Sequence, residues 1–470
     1  MKNRSLASGT EWPRGVLFRR ATLAAIATLV AATAACQAHD LLQVDDIDIA
    51  NPKSVLTKAA LPVLLAGAIG DVQGAYSGFG GDAQITESGE FTDELEFVET
   101  FPSRQEFDQR NIQVTNASNT TLFRNLLRGW ASAVRAQEAY AKLDPTNVGR
   151  AQAYNLEAFS IILAAENYCS GVPFSRLTET GATIYGDPMT RDAMFTWAAA
   201  AADSSLTLLA ALPVNAAVTT QKGFAVVLKA RALLNLGKAQ EAAAAVPASV
   251  VATTFLFQFQ HSDNTGRENN GTFALTFLDP RMSVANGEGI NGLLYRADND
   301  PRVLQKRGSG TGGEPSTGFD GSPMYLQLKY TSRSANVTAA SGIEARLIEA
   351  EARLEAGDAP GALLILNTLR LPPPNPGSGG VAGLAPLVDA GSASARVDQL
   401  FKERAYWLWL TSHRLGDLRR LVRQYQRLEA STFPTGAYVK GGLYGVDMNF
   451  PVPFDEQNNP KFTGCLDRGA

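Results

Sequence analysis

The stretch ARALLNLGKAQEA, residues 230–242, returns as AEARLEAGDAPGA at residues 350–362. At a constant offset Ala230 matches Ala350, Ala232 matches Ala352, Leu234 matches Leu354, Gly237 matches Gly357, Ala239 matches Ala359 and Ala242 matches Ala362. Each copy reads as an alanine-lined helix, a glycine suited to the left-handed C-cap, and a second helix. Small side chains let the two helices approach closely, and the glycine sets the tight turn between them. This is the pattern of a tetratricopeptide-like hairpin, which buries its apolar face only by stacking on neighbours. Roughly three or four such units are expected along the chain.

Outward from the repeat, alanine- and leucine-rich stretches with helical spacing cover about 121–168, 191–246, 342–371 and 394–428. Between about 250 and 340 the texture changes to β-branched and aromatic pieces (VVATTFLFQF, GTFALTFL, MYLQLKY) among glycine, asparagine and proline. The expected fold is mainly α: tetratricopeptide-like hairpins form a scaffold, mainly 121–246 and 342–428, with large irregular, partly β insertions. The excursion 250–340 and the segment LPPPNPGSGGVAGL (371–384) interrupt it, and such insertions are where binding residues usually sit.

The chain opens with Lys2, Arg4, Arg14, Arg19 and Arg20, then runs through ATLAAIATLVAATAAC to Cys36. A basic start, an apolar run too short for a membrane span and small residues before a cysteine read as a secretory leader of the lipoprotein type, residues 1–35. Cys36 is then the first mature residue and the lipidation site, and the membrane is reached through that anchor. Losing five basic residues and Glu11 moves the formal charge from −4 to −8, which argues against nucleic acid or anionic lipid as main partner. Cys169 and Cys465 are either a disulfide or two separate thiols. With only His39, His261 and His413 besides, no zinc site and no other metal or cofactor is expected.

FKERAYWLWLTSHRLGDLRRL (401–421) mixes charges with tryptophan and leucine. On a helical wheel Leu400, Phe401, Ala405, Leu408, Leu415, Leu418 and Val422 share one face with Arg404 inside it. A buried arginine needs an acid, and Glu349 and Glu351 on the repeat helix are the candidates. Arg414 and Asp417, at i and i+3, are placed to pair. His413 has no nucleophile motif beside it, so the segment reads as scaffold, not as a catalytic centre.

The same segment is similar to the C-terminal signature of the SusD/RagB family of outer-membrane nutrient-uptake lipoproteins. Glu403, Arg404, His413, Arg414, Asp417, Leu418 and Arg420 occupy its positions, with Ser412 where the family usually has glycine. Four further stretches resemble the family in order: VRAQEAYAKL with AFSIILAAENYCSGVPFSRL, DNDPRV, LIEAEARLEAGDAPGALLILNTLR and FPVPFDEQNNPKF. The resemblance implies one SusD-like domain over 36–470; Glu403, Arg404, Arg414 and Asp417 in its signature, and Glu351 as a candidate acid for the buried arginine, are the expected structural charges. It further implies a non-enzymatic protein at the cell surface that captures a nutrient, most often a glycan, and caps a SusC-like TonB-dependent β-barrel transporter.

Sugar capture needs aromatic faces with polar groups beside them. The glycine-loosened stretch GAYSGFGGDAQITESGEFTDELEF (74–97) offers Tyr76, Phe79, Phe91, Asp93 and Glu94; the β-rich excursion offers Tyr295, Asp300 and Arg302. Adjacent Asp93 and Glu94 point in divergent directions and do not make a glycosidase pair, whose carboxylates stand ~5 to 9.5 Å apart across a substrate. A lipid-anchored, tetratricopeptide-like scaffold that binds peptides or proteins without nutrient uptake is the competing reading. GSGTGG (308–313) lacks the Gly-Lys-Ser/Thr end of a phosphate loop, and DDIDIANP (45–52) lacks the full calcium-loop pattern.

Overall fold

The chain's helices begin where a side chain satisfies the first free backbone N–H groups. Asn116, Asn147, Thr190, Asn215, Ser341, Asp358 and Ser392 each accept such an N–H through a side-chain oxygen. In chain order the helices are α1 (Leu61–Ser77), α2 (Gln84–Phe91), α3 (Pro102–Asp108), α4 (Ala117–Leu143), α5 (Val148–Asn167) and α6 (Arg191–Ala210). They continue with α7 (Ala216–Asn235), α8 (Ala239–Ala245), α9 (Gly342–Glu355), α10 (Ala359–Leu369), α11 (Ala393–Trp407) and α12 (Arg414–Arg423). The computed structural model describes residues 56–178, 181–371 and 384–470; Cys36, the leader, the acidic stretch 45–52 and residues 372–383 lie outside the described residues.

Helices α4 to α10 pack against one another in sequence order, with α8 lying on α9 and so carrying the stack across the insertion between them. α5 is its centre: every residue from Asn155 to Asn167 is buried, as a segment apolar on nearly all sides requires. The stack begins earlier than its alanine pattern, with α1 packed along α4. Lys58–Ser77 is long and apolar enough to cross a membrane; its Leu61, Ala68, Val72 and Tyr76 are buried among other helices, while Val63 is 72% exposed.

Both repeat glycines close their helices as the pattern demands. Gly237 and Gly357 have φ of 73° and 82°, and the next residues, Lys238 and Asp358, donate back to Leu233 and Arg353. A Cβ on Gly357 would meet nothing within 4 Å. Gly357→Ala is therefore expected to cost only the left-handed backbone penalty, about 1–2 kcal/mol in urea unfolding.

The insertion is built from short antiparallel ribbons: β1 (Leu95–Phe97) with β3 (Met282–Val284), β2 (Leu256–Phe259) with β6 (Val337–Ser341), and β4 (Gln305–Arg307) with β5 (Tyr325–Gln327). β2 turns Phe257 and Phe259 onto the helical stack, where Phe257 lies flat on Phe224 of α7 at 3.8 Å between ring centres. GTFALTFL, expected as strand, is instead a helical turn (Gly271–Phe273) running into a π turn (Ala274–Leu278). Asn270 caps it, and Thr276 donates back to Thr272 O, so local hydrogen bonds override the β-branched composition.

The helix expected across 394–428 is broken at 408–413. Leu410 and Ser412 take φ of 51° and 56°, and tertiary partners claim the freed backbone groups. Leu410 N donates to Glu94, Tyr330 Oη donates to Leu410 O at 2.9 Å, and Lys329 donates to Trp409 O.

Candidate functional site

The 74–97 stretch folds inward, which removes most of its candidate ligand residues from solvent. Tyr76 is buried, its hydroxyl 2.8 Å from Thr338 O and 3.1 Å from Thr411 O and its ring edge-on to Phe159. Phe91 packs edge-on against Phe433 and Phe450. Asp93 takes both forks of Arg414 at 2.7 Å and the N–H of Leu293. Glu94 accepts from Leu410 N at 2.9 Å, and Tyr295 lies against Tyr406 and Trp409. These five are core residues, a correction to the loop reading: Tyr76 lies in the last turn of α1, Phe91 ends α2, all eight residues of which are buried, Asp93 and Glu94 follow it inward, and Tyr295 is buried in the insertion. Phe79 is half-buried, its ring laid over Gly74 of α1.

Asp300 and Arg302 do border a cleft, of about 570 Å³, together with Asp298, Arg370, Lys402 and Glu403. Its charges are already matched. Arg302 donates to Asp300 at 2.7–2.9 Å and to Glu403 at 2.7 and 3.1 Å, Arg370 donates to Glu403 at 2.6 Å, and Asp298 accepts from Lys402 and Tyr406. The guanidinium of Arg302 also covers the rings of Tyr406 and Trp407. The cleft therefore presents no open aromatic face, and its ion pairs clamp the 298–302 loop onto α11.

The structural charges keep the expected Arg404–Glu351 contact as a longer ion pair and make closer pairs elsewhere. Arg404 makes its bidentate pair with Asp417 at 2.8 and 2.9 Å; Glu351 lies 3.9 Å from it and pairs with Arg420, while Glu349 pairs with Arg346. Arg414 does not pair with Asp417 but reaches Asp93. His413 faces Glu344 at 3.1 Å in the same buried layer.

A different surface carries exposed rings. Phe101, between β1 and α3, and Phe319, in the β4–β5 loop, are 54% and 52% exposed. The Arg281 guanidinium lies 5.3 Å from one ring centre and 5.2 Å from the other. The next stack along the β1–β3 ribbon is Tyr325, with Arg296 at 4.1 Å and Arg307 at 5.6 Å from its ring. The two stacks adjoin: Tyr325 N donates to Ser283 Oγ, two residues beyond Arg281, and Asp320 N donates to Val98 O. None of these residues stood out in the sequence, although Gly318-Phe319-Asp320-Gly321 is a ring held in a turn between glycines, the signal that had been followed in 74–97.

Burial raises the Glu96 carboxyl that holds Arg296 on this face, against the pull of that arginine. Burial pushes Glu94 up to about 8 and Glu157 to about 7, and both sit in the core. A folded value above the unfolded 4.5 means that each group's contribution is present below pH 4.5 and lost as pH rises through the folded value. Glu157→Gln removes that loss. Relative to the parent, it should gain stability between about pH 5 and 8, by roughly 3 kcal/mol at 1.4 kcal/mol per unit, read from urea midpoints across pH.

No protein-family model and no curated protein matches the sequence. Solved structures do. A SusD superfamily protein from Bacteroides thetaiotaomicron VPI-5482 superposes with a TM-score of 0.62 at 15% identity, over 87% of this chain and 100% of that one. A laminarin-binding SusD-like protein gives 0.61 at 16%, over 87% and 99%. A SusD-like carbohydrate-binding protein from Bacteroides vulgatus ATCC 8482 gives 0.57 at 14%, over 77% and 83%. The helical stack with its ribbon insertion, resembling the SusD/RagB family in sequence and superposing on its solved members nearly end to end, has the SusD-like fold.

Proposed function

We propose that this chain is a non-enzymatic, cell-surface nutrient-binding protein. In this reading residues 1–35 are removed, Cys36 carries the lipid in the outer membrane, and residues 36–470 form one domain that captures a glycan and caps a SusC-like TonB-dependent transporter. The observation that carries it is the Phe101–Arg281–Phe319 stack, an open aromatic surface on a fold whose solved neighbours include carbohydrate-binding proteins. Exposed rings are costly to leave in water unless something covers them, and sugar C–H faces do. No covalent step is needed, only different affinities in two states of the complex.

The test is calorimetric titration with laminarin, polygalacturonate and heparin. Phe101→Ala with Phe319→Ala should weaken whichever glycan binds by about five- to hundredfold, since each stack is worth about 0.5–1.5 kcal/mol, at unchanged melting temperature. Full affinity in the double variant would move the site elsewhere. Pull-down of the lipidated chain from detergent-solubilised outer membranes should bring a large β-barrel in near-equal amount; recovery of the chain alone would rule out a stable cap.

A further inference from the structure

Exposed Phe101 and Phe319 and half-buried Tyr325 are each stacked with arginine, and those arginines are held in one way. Arg281 is tied through Nη1 to Glu99, Arg296 through Nη1 to Glu96 at 2.9 Å, and Arg307 through Nη1 to the carbonyls of Gly308, Ser316 and Met324. Among the described residues, Nε and Nη2 of all three have no partner. A guanidinium fixed by one nitrogen and set over a ring keeps its other edge as a pre-ordered fork, the geometry that grips a carboxylate or sulfate with two parallel hydrogen bonds.

The carboxylates beside them are already engaged: Glu99 by Arg281 and Arg104, Glu96 by Arg296, and Asp320 by Lys440. Arg307 has no carboxylate partner among the described residues and stands exposed. The chain as a whole is acidic, but net charge is a sum over the molecule, and this face gathers cations against it.

We infer that the face takes an anionic glycan, a polymer whose sugar rings lie on Phe101, Phe319 and Tyr325 while its carboxylate or sulfate groups enter the forks of Arg281 and Arg307. This rests on the glycan reading above and narrows it. The requirement is physical: a neutral sugar would leave those two oriented forks without a partner, whereas an anion fills them with charge-assisted bonds.

The test compares polygalacturonate (carboxylate), heparin (sulfate) and laminarin (neutral) on the whole chain. At least one polyanion should bind more than about tenfold tighter than laminarin, weakening at least about tenfold between about 0.05 M and 0.5 M salt. Arg281→Gln with Arg307→Gln should abolish the preference; Glu99 keeps Arg104 at 2.7 Å in that variant, and an unchanged melting temperature confirms the fold. Polygalacturonate alone binding assigns the forks to uronates, and heparin alone assigns them to sulfates. Laminarin binding as tightly as both polyanions, insensitive to the arginine variant but lost with Phe101→Ala, overturns the anionic assignment and leaves the glycan reading intact. No binding to any of the three overturns both.

Discussion

Asp417→Ala is expected to lose about 3–5 kcal/mol of unfolding free energy. Asp417 accepts both forks of Arg404 and, at 2.8 Å, Nη2 of Arg420, while Arg420 also grips Glu351 at 2.5 and 3.1 Å and Tyr425 donates to Glu351. All four charged groups are buried, and the pairs balance two guanidinium groups against two carboxylates. Removing Asp417 leaves both arginines on Glu351 alone, in a layer where water cannot compensate. Glu351→Ala and Arg404→Ala act in the same direction because each also strands one charge. The net worth of the network is smaller than these losses: Arg404→Met combined with Asp417→Leu should be less destabilised than the two single variants summed. Although burial opposes its ionisation, the two arginines hold the Asp417 carboxyl well below the usual 3.8. Its contribution is thus present above pH 3.8 and lost as pH falls below it, a loss that Asp417→Ala lacks. A change under 1 kcal/mol in urea unfolding would show that the layer tolerates a bare charge.

The contrast between what was legible and what was not follows sequence distance. Gly237 and Gly357 act within one turn, so their left-handed caps are written locally and the helical stack follows from them. Arg404 was legible as a buried cation in need of an acid, but Asp417 is its partner only because the chain breaks at Leu410 and Ser412 and brings α12 back beside α11. Arg414 looks like Asp417's neighbour on a wheel, whereas Asp93 lies 321 residues away in sequence. The proposed binding face shows the same limit. Glycine content around Tyr76 and Phe91 suggested a loosened loop, yet the burial of α2 depends on the C-terminal segment: Ser88 meets Ser412, and Phe91 meets Phe450. Phe101, Arg281 and Phe319 come from three distant segments and become a surface only through the β1–β3 pairing.

Cys465→Ser is expected to cost about 2–5 kcal/mol. Both open readings of Cys169 and Cys465 are resolved by the disulfide between them, with 5.8 Å between Cα atoms and 296 residues of separation. Cys169 follows the end of α5, so the bond fixes the C-terminal tail to the most buried helix. The loop it closes spans α6 to α12 and the whole insertion, so the unfolded chain loses much freedom on cross-linking, the more so because closure entropy grows with loop length. The tail is held independently as well: Phe450 N donates to Asn167 O, Cys169 N to Phe450 O, and Leu466 N to Ser170 O, at 2.7 to 2.9 Å. Those bonds keep the tail docked in the reduced protein at rest, so reductant should leave the folded spectrum unchanged while lowering the urea midpoint. If instead the midpoint holds and a protease trims the reduced chain only after Phe450, the tail opens locally and the bond stabilises that segment alone. The first outcome makes the disulfide a constraint on global unfolding, because separating α5 from the tail then requires the helices enclosed by the loop to come apart with it.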